Sequence, residues 1–147
     1  MTTARRISGA VFAAALGVVA ALAVSGPANA AGRHIADGRG AEERCYDFSL
    51  GNTDPVLCLY WGTWDTAMFV TDVSIPNLDG KRFSAWDGGT TGANEYVKNN
   101  AATMSCMASL CTSFYNENYS GNYDYLYRWQ TGGLYYTWND GASVRMS

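Results

Sequence analysis

One short pattern occurs twice in this chain, and it limits what the chain can fold into. Tyr96-Val97-Lys98-Asn99-Asn100-Ala101-Ala102-Thr103 returns forty residues later as Thr137-Trp138-Asn139-Asp140-Gly141-Ala142-Ser143-Val144. In both copies an aromatic or apolar residue stands ahead of Asn-Asn or Asn-Asp, two small residues follow, and a hydroxyl residue closes the bend. A repeated short pattern implies a supersecondary unit that is built twice. The flanks agree. Leu57-Cys58-Leu59-Tyr60-Trp61 opens one half and Leu110-Cys111-Thr112-Ser113-Phe114-Tyr115 the other. Each half then runs through a turn, a Tyr/Phe-rich stretch and a Gly-containing loop to its Asn pivot. The first half is longer because 74–80 and 87–92 read as insertions, and Pro76 excludes a central strand there.

From Cys45 onward no dozen residues carry apolar positions at the helical period. Short aromatic and β-branched runs alternate with Gly, Asn, Asp and Pro instead. The runs predict strands at 56–62, 67–73, 81–86, 102–106, 112–116, 122–128, 134–138 and 142–146. Strands this short, this evenly spaced and this numerous fit an antiparallel sandwich or barrel.

The amino-terminal thirty residues read as a signal peptide. Arg5 and Arg6 form the basic region, 10–24 the apolar core, and Ala28-Asn29-Ala30 the small-residue cleavage site. Fifteen apolar residues are short for a bilayer span. The expectation is a secreted, extracellular protein with no membrane association. Residues 31–44, polar and Gly-rich, read as a flexible leader, and 45–147 as a single domain. Beyond residue 30 the chain keeps eight basic against thirteen acidic residues, scattered without a run of like sign. That balance excludes a nucleic-acid or anionic-membrane partner, either of which wants a basic face.

Cys45, Cys58, Cys106 and Cys111 all fall in the exported part, and an even count there reads as two disulfides with three connectivities open. The sequence-local pairing, Cys45–Cys58 with Cys106–Cys111, is favoured. The spacings are not those of a zinc ribbon, and the sole histidine, His34, lies in the leader.

Phe114-Tyr115-Asn116-Glu117-Asn118-Tyr119-Ser120-Gly121 resembles the opening of a βγ-crystallin Greek-key motif, where an aromatic and a polar turn lead to a glycine that folds the hairpin back over the ring. The pivots resemble the calcium motif of microbial βγ-crystallins, with its last Ser replaced by Met104 and Val144. Taken with Leu-Cys-Leu-Tyr at 57–60 and the Cys106–Cys111 segment, the chain is similar to the Streptomyces metalloproteinase inhibitor family of secreted proteins. The resemblance implies an all-β fold, two Greek-key motifs forming a βγ-crystallin-like antiparallel sandwich. It implies a monomeric inhibitor of an extracellular peptidase, a metallopeptidase by kinship. The first half departs from the pattern, with Thr66 or Ala67 where the second has Gly121.

The candidate sites follow. Asn100 with Thr103, and Asp140 with Ser143, offer oxygens to a calcium ion, but only Asp140 is charged, so binding belongs near about 10⁻⁴–10⁻³ M and no cofactor is required. The competing reading is a turn in which these side chains bond the backbone. Met107, Ala108, Ser109 and Leu110 are the candidate inhibitory loop, since a crosslinked segment is preorganised for a protease cleft; a plain clipped hairpin is the alternative. Tyr123, Tyr125 and Tyr127 share one strand face opposite Asp124, Leu126 and Arg128. Those rings, with Trp64, Trp86 and Trp129, are read as core; the alternative is a surface that stacks on sugars, giving a non-inhibitory calcium- or carbohydrate-binding module. Catalysis is not expected. No base stands beside a nucleophile, and a small sandwich leaves little cleft for a carboxylate pair drawn from Glu95, Glu117, Asp124 and Asp140.

Overall fold

The computed structural model describes residues 30–40, 45, 54–63, 65–86 and 89–147. Residues 1–29 of the expected signal peptide, leader residues 41–44, residues 46–53, Trp64, Asp87 and Gly88 lie outside the described residues.

Eight strands form two four-stranded sheets. In chain order they are β1 (Gly32–His34), β2 (Leu57–Tyr60), β3 (Met68–Thr71), β4 (Thr103–Cys106), β5 (Leu110–Asn116), β6 (Ser120–Tyr127), β7 (Gln130–Gly133) and β8 (Ser143–Met146). One sheet runs β3-β2-β4-β7 and the other β1-β6-β5-β8. β2 and β5, the two strands that open the repeated halves, hold equivalent central places.

The halves exchange their third strands. β7 follows β6 in sequence yet pairs with β4 of the other sheet, Thr103 opposite Gly133. In return Ile75, between β3 and β4, bridges Val144 on β8 through Ile75 N–H to Val144 O (2.8 Å) and Val144 N–H to Ile75 O (3.0 Å). Each unit is therefore a Greek key completed by the other. The expected fold class holds: all-β, two Greek-key motifs, a βγ-crystallin-like sandwich.

The apolar core lies between the sheets. Leu57 and Leu59 of β2, Met104 of β4, Leu126 of β6 and Val144 of β8 meet Phe83, Val97 and Leu134 from the connections, all buried. A smaller cluster covers the outer face of the first sheet, where Cys58, Tyr60, Met68 and Met107 pack with Cys45. Both disulfides are the sequence-local ones, Cys45–Cys58 (S–S 2.09 Å) and Cys106–Cys111 (2.06 Å). The first fixes Cys45 on that outer face.

Four expectations are corrected. The leader does not begin loose: Gly32–His34 is a strand, parallel to β6, and Ile35 is buried in the core. Tyr123 explains the choice of glycine, because a Cβ at Gly32 would lie 2.2 Å from that ring. The segment 81–86 is no strand but a set of isolated bridges, Arg82 with Tyr96 and Ser84 with Met68. The third strand of the second unit is Gln130–Gly133 rather than 134–138. Asp124 is the reason. Its Oδ2 accepts bonds from Tyr135 N–H, Thr137 N–H and Thr137 Oγ1, each at 2.9 Å, which holds 135–137 off the ladder. Finally, the segment around Ile75 is a reduced third strand, not an insertion; Pro76 suits it because it sits at a sheet edge.

The hairpin turns differ between the halves as expected. Gly121 takes φ +80°, and Asn118 and Tyr119 precede it at φ 56° and 59°, the type I′ pattern. In the first half the Thr66 hydroxyl does the closing, accepting from Gly62 N–H at 2.9 Å and donating to Thr63 O at 2.7 Å.

Candidate functional site

The two pivots meet. Asn99 (φ 62°) and Asn139 (φ 55°) both adopt the left-handed conformation that Asn tolerates better than most residues. Asn99 N–H donates to Gly141 O at 3.0 Å, and Asn139 N–H donates to Ala101 O at 2.9 Å. This reciprocal clasp joins the units where the sequence repeats. Each pivot also reaches the opening hairpin of its own unit. Thr103 Oγ1 donates to Gly62 O at 2.8 Å. Ser143 Oγ donates to Asn116 O at 2.7 Å and accepts from Tyr119 N–H at 3.1 Å.

These bonds decide how well the pivots suit calcium. Thr103 and Ser143 spend their hydroxyls on the fold, as the turn reading requires. Asp140 lines a cleft of about 480 Å³ with Lys98, Asn116 and Glu117. The ammonium of Lys98 lies 2.6 Å from Glu117 Oε1 and 2.8 Å from Asp79 Oδ1. Lys98 thus pairs with Glu117 of the cleft and with Asp79 outside its lining. Asn100, in the other cleft, keeps company only with uncharged residues. Among the described residues no three His, Cys, Asp or Glu side chains gather to hold a metal. Of the four residues named for calcium, only Asp140 offers an anionic oxygen, and Thr103 and Ser143 already hold hydrogen bonds within the fold.

The Met107–Leu110 segment is placed inward for half its length. Met107 (0% exposed) and Ala108 (2%) are buried, and Met107 N–H bonds Val56 O at 2.8 Å. Only Ser109 and Leu110 reach the surface, and Leu110 is already in β5. Met107 packs into the second cluster and Ala108 into the main core, which leaves Ser109 and Leu110 as the accessible part of the expected loop.

The tyrosines are where the structure departs furthest from the core reading. All three do share a face of β6, but Asp124 and Leu126 take the buried one. Tyr123, Tyr125 and Tyr127 stand on the outer face of their sheet, and Tyr127 is 52% exposed. Ring centroids follow one another at 5.8 Å (Tyr127–Tyr125), 6.2 Å (Tyr125–Tyr123) and 5.6 Å (Tyr123–Phe114). Tyr119 extends the row at its far end, edge-on to Phe114 at 5.9 Å, and His34 flanks it beside Tyr125 at 5.3 Å. Arg145 holds its guanidinium 5.4 Å from the Phe114 ring centre, and Thr112 lies between. The result is a shallow depression of about 420 Å³ lined by rings and edged by hydroxyls and one guanidinium. The outer face of the opposite sheet is sealed by the Cys45 cluster, so the two faces are not equivalent.

No protein-family model matches the chain, and no curated protein is similar to it. Among solved structures, it is similar to a βγ-crystallin from an archaeon, with 11% identity and a TM-score of 0.47 over 64% of this chain and 99% of that one.

None of the acidic residues considered for catalysis forms an acid–base pair. Asp124 is bonded to backbone, Glu117 to Lys98, and Glu95 serves the 83–95 loop through its carbonyl to Phe83 N–H. His34 bonds Gln130 Oε1 at 2.8 Å on the sheet edge. The sequence did not single out Trp61 and Trp138, which flank the first pivot's cleft. The signal was available: each directly adjoins a repeated element, Trp61 at the end of an opening strand and Trp138 ahead of an Asn pivot.

Proposed function

We propose that this protein is an exported, non-catalytic binding module whose working surface is the Tyr127–Tyr125–Tyr123 row, and that its ligand is an extracellular polysaccharide. The row carries the proposal. A folded chain gains by covering rings, and here the outer face of the other sheet carries a buried cluster, whereas on this face Tyr127 is exposed and Tyr123 and Tyr125 are half-buried beside a buried Phe114. Rings repeated along a strand stand at near-sugar spacing, tilted to one another by 42° and 81°, so they offer both faces and edges to a ligand that is itself half C–H and half O–H, and their hydroxyl tips supply hydrogen bonds to it. The two disulfides suit the oxidising exterior where such polymers occur, and the signal peptide provides the route out. No helix among the described residues is long and apolar enough to cross a membrane.

The test is co-sedimentation with insoluble chitin, cellulose and bacterial cell wall. Retention on at least one polymer, competed by its soluble oligomer, supports the reading. Absence from all three pellets removes it. Inhibition of an extracellular metallopeptidase, the function implied by family resemblance, is assayed in parallel against thermolysin-like and subtilisin-like enzymes. Stoichiometric inhibition without polymer binding would restore that reading, with the contact surface somewhere other than Met107 and Ala108.

A further inference from the structure

A second site lies at the other end of the molecule, and it does not depend on the tyrosine face. Where β2 ends, Trp61 forms one wall of a cleft of about 500 Å³; Trp138, immediately before the second pivot, forms another. Leu134 lies between them, and Thr63, Asn100 and Asn139 supply polar edges. The volume falls within the ordinary range for small-ligand pockets. We propose that this cleft binds a single uncharged pyranose ring.

Four observations carry the assignment. The lining contains no charged side chain, so an anionic or cationic ligand would find no counter-charge. Both indoles are substantially exposed, Trp61 at 36% and Trp138 at 59%, although they lie beside a well-formed core. Among the described residues no hydrogen bond takes up either indole N–H, the Thr63 hydroxyl or the Asn139 side-chain amide, so polar groups of both kinds face the space unspent. The frame, finally, is fixed. A Cβ at Gly92 would meet the Trp61 ring at 2.2 Å, so that ring lies directly on bare backbone. Asn139 is anchored through its N–H to Ala101 O, Leu134 through its N–H to Ala102 O, and Gly62 through its carbonyl to Thr103. An amphipathic ring of sugar size, with a C–H face for the indoles and hydroxyls for the amides, is the ligand class that uses all of these groups. Aromatic anchors held rigid before binding lose little entropy on it.

The experiment is tryptophan fluorescence of the intact protein, titrated separately with methyl glucoside, galactose, mannose, N-acetylglucosamine and glucuronate. All five tryptophans emit, so the part of the shift lost in Trp138→Ala and kept in Trp129→Phe is the part that reports this cleft. The expected result is a saturable shift with at least one neutral sugar in the millimolar range, and none stronger with glucuronate. Trp138→Ala should weaken it about tenfold. Asn139→Gly, which keeps the left-handed backbone and removes only the amide, should also weaken it while leaving the melting temperature in place. Trp129→Phe, in the distant β6–β7 turn, should leave it unchanged. No saturable shift up to about 0.1 M sugar would overturn the proposal. So would tighter binding of glucuronate, or a response that survives both Trp138→Ala and Asn139→Gly.

Discussion

Asn139 of the second pivot donates its N–H to Ala101 of the first at 2.9 Å, and Asn99 returns the bond to Gly141 at 3.0 Å. This exchange is the physical meaning of the repeated sequence: the bends are alike because each is the other's hydrogen-bond partner. The left-handed backbone at both positions follows from it. Asn99→Ala should cost about 1–2 kcal/mol, the penalty for an ordinary side chain in that conformation, whereas Asn99→Gly should be close to neutral. Urea unfolding of the two variants against the parent measures the difference.

Asp124 supports the second unit from within. It is 0% exposed, its Oδ2 accepts three bonds, and its Oδ1 has no partner among the described residues. Asp124→Ala would strand two backbone N–H groups and should destabilise by about 3 kcal/mol or more. Asp124→Asn keeps one acceptor oxygen and should cost less. The order of the two urea midpoints checks the account, and equal midpoints would show that the bonds matter little.

The Lys98 triad gives a pH dependence of known sign. The hydrogen bond from Lys98, and then that from Asn77, hold the Asp79 carboxyl below its ordinary 3.8. Asp79, and then Glu117, hold the Lys98 ammonium above its ordinary 10.5. The Asp79 contribution is therefore present above 3.8 and lost as pH falls through the lower folded value. The Lys98 contribution is present below 10.5 and lost as pH rises through the higher one. Lys98→Met should lower the melting temperature most near neutrality and least at both extremes, and the gap should narrow in high salt. Thermal melts of both proteins across the pH range decide it.

The disulfides should contribute unequally. On chain entropy the Cys45–Cys58 link, closing thirteen residues of separation, is worth about 3 kcal/mol, and Cys106–Cys111, closing five, about 2. Paired Cys→Ser variants, compared by denaturant unfolding, should show the larger loss for the first. That loss should come with exposure of the Tyr60 cluster in which Cys45 packs.

Much of the fold was legible because it rests on alternation. β2, β3, β4, β5, β6 and β8 each lie within or overlap a run read as a strand. β1 was not legible, since Gly-Arg-His carries no apolar pattern and its place depends on Tyr123 lying across Gly32. For β6 the period put the three tyrosines together but not on the correct side. Sequence convention buries rings and exposes a carboxylate, whereas Asp124 is buried because Tyr135 and Thr137 satisfy it. That partnership spans a connection whose path no local pattern records. The aromatic face, and with it the candidate function, emerged only from that reversal.

The central claim is that this face binds polysaccharide. Its most direct measurement is the apparent affinity for whichever polymer retains the parent protein, repeated with Tyr123→Ala/Tyr125→Ala and with melting temperatures recorded alongside. The account predicts at least a tenfold weaker affinity, about 1.4 kcal/mol, with a folded and cooperatively melting variant. Undiminished affinity in the folded double variant would contradict it.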